Sequence, residues 1–404
     1  MLRGHLVPIS RIVRLAGVAW LIVAAPVHAA DEIGVTVTYL AREEPPLEPL
    51  SLVEPMLEDE GVMGARQALT ENQTTGQFLE HEYRLSERIV AEDGDPIAEF
   101  EAALAAGERL FIADLGAEQL MQLAALADAA GALLFNARAP EDRLRTETCH
   151  ASVLHVAPSR AMKADALAQY LIWKQWPAWF LMHGTRPADI AFADAIRRAA
   201  QRYGAEIVEE RSYEFVEFAR RTDSGHVQVQ QQMPVLTQDV ADYDVLVVAD
   251  ESDVFGEYLP YRTWEPRPVA GTQGLVPTAW SRVHEQWGGT QVQRRFEKFA
   301  GRPMTERDYN AWLAVRIIGE AVTRTGNAGA EALHDYMLSD QFEIAAFKGE
   351  GLSFRPWNQQ LRQPILLVTA RVLVSVSPQE QFLHERTPLD TLGYDEPESA
   401  CRLN

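Results

Sequence analysis

Lysine is nearly missing from this 404-residue chain, occurring only at positions 163, 174, 298 and 348. Basic charge is therefore mostly arginine, and the 37 Lys+Arg face 58 Asp+Glu for a formal net charge of -21. So acidic a surface repels phosphate backbones and excludes nucleic-acid binding through a basic face. Only two cysteines are present, Cys149 and Cys401, which excludes a zinc site built from cysteines. No apolar run approaches the roughly 20 residues of a spanning helix, which excludes a multi-span membrane protein. The chain carries no phosphate-binding glycine loop, no dinucleotide fingerprint, no nucleophile elbow and no paired-histidine zinc helix. An apolar fraction of 47% is that of a globular protein and excludes wholesale disorder.

What is present begins with an export pattern. Arg3, Arg11 and Arg14 form a positive start, Leu15 to Ala25 a compact apolar stretch, and Val27-His28-Ala29 a small-residue cleavage site. Residues 1–30 read as a signal peptide, which places the mature protein in the periplasm. In that oxidising compartment an even pair of cysteines usually bridges, so a disulfide between Cys149 and Cys401 is expected, with two buried thiols as the other reading.

The mature chain alternates short apolar strands with amphipathic helices. Ile33–Tyr39, Glu82–Val90, Arg109–Ala113 and Ala132–Asn136 read as strands, separated by helices that stop at Gly107 and Gly131. The theme restarts with a helix capped by Ser159, a strand at Trp179–Met182, a helix ending at Gly204 and the run Tyr243–Ala249. A helix is expected over Gln228–Gln238, and Thr305-x-x-Asp308 opens another over Arg307–Arg324. Leu352–Phe354 and Ile365–Ser375 read as further strands. Strands separated by such helices make βαβ units, so the expected fold is α/β, two αβα lobes with mainly parallel sheets. The expected division is 31–150 plus about 275–342 for lobe 1, and about 151–274 plus 343–376 for lobe 2. Residues 377–404 read as a surface tail pinned by Cys401.

The chain resembles type I periplasmic substrate-binding proteins of ABC transporters, the Leu/Ile/Val-binding class. The resemblance covers about 33–376 and is carried by IGVTVTYL (33–40), GARQAL (64–69), VLHVAPSRAMKADALAQYL (153–171), YDVLVVAD (243–250) and WLAVRIIGEAV (312–322). It is similar in particular to the subfamily found with PQQ-dependent alcohol dehydrogenase systems. LAREEPPLEPLSLVEP (40–55), FGEYLPYRTWEPRPVAGTQGLVPTAW (255–280), LSFRPWNQQLRQPILL (352–367) and LDTLGYDEPESACRLN (389–404) carry that likeness. The resemblance implies lobes joined by three crossovers, a small ligand held between them by lobe closure, an inner-membrane ABC permease as partner and no enzymatic activity.

Ligands in open α/β sheets sit outside the carboxyl ends of the strands. Transferred position by position, the resemblance implies ligand contacts from Tyr39, Arg42, Asp114, Asn136, Arg138, His183, Asp250, Glu251 and Gln273. Asp114 and Asn136 stand where amino-acid binders usually carry hydroxyls. Arg138 suits an anionic group, and Asp250 with Glu251 suits an amine or a cation. No tightly bound cofactor is expected. The acidic loop that includes Glu43 and Glu44, together with Asp253, offers oxygen ligands for calcium or a lanthanide. Two alternatives therefore stay open: a metal-handling protein serving a PQQ-dependent dehydrogenase, or a sensor or partner of that enzyme without a transport role.

Overall fold

The computed structural model describes residues 32–44, 57–214 and 223–403. The export segment at 1–30 and the part of the acidic loop holding Glu54 lie outside the described residues. The first half of the chain runs β1 (Ile33–Arg42), α1 (Val62–Gly76), β2 (His81–Val90), α2 (Pro96–Ala105), β3 (Leu110–Asp114), α3 (Ala117–Ala130), β4 (Leu133–Asn136), a single turn α4 (Arg143–Thr146) and β5 (Val153–His155). Its five strands form one parallel sheet in the order β2-β1-β3-β4-β5. Then come α5 (Arg160–Trp173), β6 (Ala178–Gly184), α6 (Pro187–Tyr203), β7 (Glu206–Tyr213), α7 (Asp223–Leu236), β8 (Val245–Ala249), the short α8 (Leu259–Arg262) and β9 (Val269–Gly271). These strands make a second parallel sheet, β7-β6-β8-β9, with the same winding. The expected α/β fold with mainly parallel sheets is the observed one.

Period-two alternation assigns each strand's faces. On β1, Val35, Val37, Tyr39 and Ala41 enter one core with α1, while Leu40 enters another with Phe100 and Leu120 from α2 and α3. The second sheet is covered likewise: Trp179, Leu181 and Val247 pack with α5 and α6, and Phe180, Met182 and Val248 pack with Val229 and Met233 of α7. Pro234 lies inside α7 without ending it, and that helix begins before the expected Gln228.

The remainder completes these cores. β10 (Val276–Thr278) leads to α9 (Gly289–Ala300), α10 (Glu306–Thr325) and α11 (Ala330–Leu338), which pack into the first core through Val292, Trp312, Ile317 and Leu333. A small antiparallel sheet follows, β11 (Ile344–Ala345), β12 (Gly351–Phe354) and β13 (Leu361–Arg362), with Ile344, Leu352, Phe354 and Leu361 still in that core. The chain then crosses to β14 (Ile365–Val368) and β15 (Leu373–Ser377), whose Ile365 and Leu367 belong to the second sheet's core. The chain thus passes between the two cores three times. The strand expected over 365–375 is instead a hairpin, turned where the Thr369 N–H donates to the Val372 carbonyl at 2.8 Å. No Gly or Pro marks that turn in the sequence.

Residues beyond 377, expected as a surface tail pinned by Cys401, also bury several side chains. Leu392 is buried in the second core, and Arg355 donates to Asp390 at 2.9 Å with both side chains 1% exposed. Arg362 adds a second ion pair to Asp390 at 2.8 Å. Cys149 and Cys401 form a disulfide, with Cα atoms 5.6 Å apart across a sequence separation of 252.

Candidate functional site

The two parallel sheets each reverse their winding once, between β1 and β3 and between β6 and β8. Such switch points open a crevice beyond the carboxyl ends of the strands. A cavity of about 250 Å³ lies there, lined from the first sheet's side by Ala137 and Arg138 after β4, and from the second sheet's side by Glu251 after β8 and Lys163 of α5. The first turn of α10 supplies Glu306, Arg307 and Asn310. A larger open groove of about 1120 Å³ shares Glu306 with it and is lined by Asp253, Gln273, Tyr261 and Trp280 among others.

The arrival of α10 is fixed locally. Thr305 caps the helix, its hydroxyl accepting the Asp308 N–H while Asp308 accepts the Thr305 N–H in return. The same Asp308 carboxylate accepts the Gly61 N–H at 2.8 Å, tying the start of α1 to the start of α10. Gly61 has φ 83°, and a Cβ there would lie 2.4 Å from the Tyr39 hydroxyl and 2.5 Å from the Asp114 carboxylate. Only glycine lets the chain pass over that pair.

Beneath the cavity the expected contacts at the first switch point are occupied by protein. Asp114 is 0% exposed; Tyr39 donates to it, and the Arg307 Nε lies 2.7 Å from it. Burial, and then the Asp114 charge, hold the Tyr39 phenol well above its ordinary value. Burial works against the Arg307 charge, but Asp114 outweighs it and raises that guanidinium. Asn136 is also 0% exposed, and its amide organises its own loop: the nitrogen donates to the Ala139 carbonyl at 2.8 Å, and the oxygen accepts the Arg138 and Ala139 N–H groups. Asp250 is 2% exposed and accepts the N–H groups of Val254, Phe255 and Gly256 at 2.9, 2.8 and 2.6 Å. Its carboxyl is raised by burial, against those three donors.

The structure therefore sorts the expected site residues into three sets. Arg138 and Glu251 line the cavity, and Gln273 and Asp253 line the adjoining groove, with the Gln273 amide 3.3 Å from Asp253. Tyr39, Asp114, Asn136 and Asp250 are buried behind the lining, with polar groups spent inside the protein. His183 and Arg42 join neither cavity. The His183 ring reaches the Gly184 carbonyl at 2.7 Å and Glu210 at 3.2 Å, and the Arg42 guanidinium lies 2.8 Å from the Gln119 side-chain amide, whose oxygen accepts it once the amide is turned over.

The expected metal ligands do not converge. Glu44 pairs with Arg138, the Glu43 N–H binds the Val90 carbonyl, and Asp253 lies beside Gln273. Among the described residues no group of three or more His, Cys, Asp or Glu is placed to hold a metal ion. Oppositely charged neighbours and separate loops take these carboxylates apart.

Lys163, Arg160, Glu306, Arg307 and Asn310 were not singled out from the sequence. Lys163 Nζ meets Glu306 at 2.8 Å, and Arg160 meets Glu251 at 2.7 Å and Glu141 at 3.3 Å. The signal for three of them was the capping box at Thr305, which marks where a helix starts but not which crevice it enters.

No family model and no curated protein matches the sequence. Solved structures are similar to it over nearly their whole length. A periplasmic binding protein from Burkholderia mallei has 12% identity and a TM-score of 0.63, covering 92% of this chain and 99% of its own. A leucine-, isoleucine-, valine-, threonine- and alanine-binding protein from Brucella ovis, in a closed conformation, has 14% identity and a TM-score of 0.64 over 93% of this chain and 98% of its own. A solute-binding protein of an ABC transporter from Rhodopseudomonas palustris BisB5, in complex with 3,4-dihydroxybenzoic acid, has 12% identity and a TM-score of 0.61 over 83% and 93%. These relatives are solute-binding proteins rather than enzymes. Among the described residues no helix is long and apolar enough to cross a membrane. The chain has the fold of the periplasmic solute-binding proteins of ABC transporters.

Proposed function

We propose that this protein is a periplasmic receptor that captures a small solute between two lobes and presents it to an ABC permease. The observation that carries the reading is the cavity whose walls come from the carboxyl ends of both parallel sheets. The lobes are read as 31–150 plus about 275–342, and about 151–274 plus the chain from β14 onward. This departs from the expected 343–376 for lobe 2: residues 344–361 are assigned to the first lobe because their apolar side chains join its core. Three connecting passages act as the hinge; Lys163 on one side already meets Glu306 on the other at 2.8 Å, and closure draws Arg138 toward Glu251. Relatives of this fold bind amino acids in one case and an aromatic acid in another, so the lining rather than the fold sets the solute. A place beside PQQ-dependent alcohol oxidation rests on the sequence stretches at 40–55, 255–280, 352–367 and 389–404.

Protein stripped of bound solute by partial unfolding and refolding is the test material. Small-angle scattering before and after adding the small-molecule extract of its own periplasm should show compaction, and extract-dependent retention on membranes holding the permease should follow. A scattering profile unchanged by the extract overturns the receptor reading. Loss of growth on alcohols in a deletion strain tests the PQQ association separately.

A further inference from the structure

Every cation around the cavity already has a carboxylate. Arg138 is held by Glu44, Arg307 by Asp114, Lys163 by Glu306, and Arg160 by both Glu251 and Glu141. Glu60, on the cavity wall, has its one ion pair among the described residues with Arg307, at 3.9 Å. Carboxylates thus outnumber cations in the shell. An incoming anion would have to displace a built-in carboxylate, and at the first switch point Asp114 already fills the place with its own negative charge.

The unsatisfied groups have the same polarity. Asn310 lines the cavity at 4% exposure, and its side-chain oxygen has no hydrogen-bond partner. Glu141, next to the lining residue Pro140, keeps one carboxylate oxygen without a partner as well. Both oxygens are shut off from the cavity as it stands, and an unpaired buried acceptor is costly, so a guest bearing donors gains where the Asn310 amide turns to meet it. The cavity of about 250 Å³ sits at the lower end of the roughly 300–1,000 Å³ of small-molecule sites and admits only a compact guest.

We infer that the solute is a small organic amine, positively charged and without a free carboxylate, seated against Asn310, Glu251 and Glu306. This inference rests on the receptor reading above. The protein's formal charge of -21 would also enrich such a cation near the crevice.

The test is titration calorimetry on the full mature chain with isobutylamine, putrescine and ethanolamine, with isovalerate and succinate, and with valine and ornithine as zwitterions. At least one amine is expected to bind about tenfold tighter than any carboxylate or amino acid. Asn310→Ala should weaken that amine by about tenfold, as loss of a hydrogen bond to a charged donor implies. Arg138→Gln, by removing a like charge, should strengthen it about threefold. Circular-dichroism melts confirm that both variants fold. Tighter binding of a carboxylate or an amino acid overturns the inference, as does amine affinity that falls in Arg138→Gln. If the periplasmic extract closes the protein while no amine binds, the inference fails and the receptor reading stands. If neither the extract nor any probe acts, both fail.

Discussion

Lys348 has lost its water: it is 1% exposed, and its ammonium donates to Gln363 Oε1 at 2.6 Å and to the Pro364 carbonyl at 3.0 Å. It also stands 5.0 Å from the centre of the Tyr309 ring. Burial pushes the amine down to about 7, with Glu306 pulling it up and Lys163 pushing it further down. Between about 7 and the ordinary value of 10.5, the unfolded chain therefore holds a proton that the native state does not. Stability rises with pH through that interval, and at lower pH the buried charge keeps its full cost. His155 adds in the same direction. Burial, and then Arg145, depress it well below 6.5, so its contribution is present above that pH and is lost as acidification charges the unfolded imidazole. The melting temperature should climb from pH 6 to pH 9, and Lys348→Met should remove most of the climb above pH 7. An equal slope in the variant would show that this amine is not its source.

At the scale of elements, punctuation was legible and destination was not. Gly131 and Gly204 end helices in the left-handed conformation that glycine favours, and Ser159 and Thr305 cap the helices they precede. The runs Ile33–Arg42 and Val245–Ala249 are strands because their branched, apolar residues fit a sheet buried on both faces. By contrast α9 was legible and went unread: Val292 and Phe296 recur at helical spacing on one buried face among polar residues. Asn136 and Asp250 lie at strand ends, as a ligand contact should, but a sequence does not say whether a carboxylate faces a guest or three backbone N–H groups. Asp390 makes the same point from the other side, since nothing in the polar tail marked it as the anion for two arginines. The Asp390 carboxyl sits below its ordinary value because Arg362 and Arg355 together outweigh its burial. Asp390→Asn leaves Arg355 buried without a counter-charge and should cost about 3–5 kcal/mol. Denaturant titration would measure the loss, and limited proteolysis should show cleavage within 378–403 at denaturant concentrations the native protein resists.

At the scale of the molecule, the last stretch of chain joins the second core to the segment between β4 and β5 of the first sheet. Leu392 packs in the second, where the Tyr203 hydroxyl donates to the Thr391 carbonyl at 2.8 Å and the Gly393 N–H binds Asp165 at 2.8 Å. A few residues on, the Ala400 N–H binds the Thr146 carbonyl at 2.8 Å, and Cys401 is bonded to Cys149, both in the segment between β4 and β5 of the first sheet. A loop of this length closed by a disulfide stabilises by up to about 5 kcal/mol in the chain-entropy account. Replacing Cys401 with Ser, or reducing the bond, should therefore lower the melting temperature measurably. A reduced protein as stable as the oxidised one would mean that the ion pairs at Asp390 hold the segment alone.

The same bond bears on how far the crevice can gape. On the proposed lobe closure, a terminal ribbon moored on either side of the joint would set an outer stop to its swing, as a stay on a casement window does. The range of apertures sampled without solute is then written partly in sulfur chemistry, and a reducing environment would lengthen the stay.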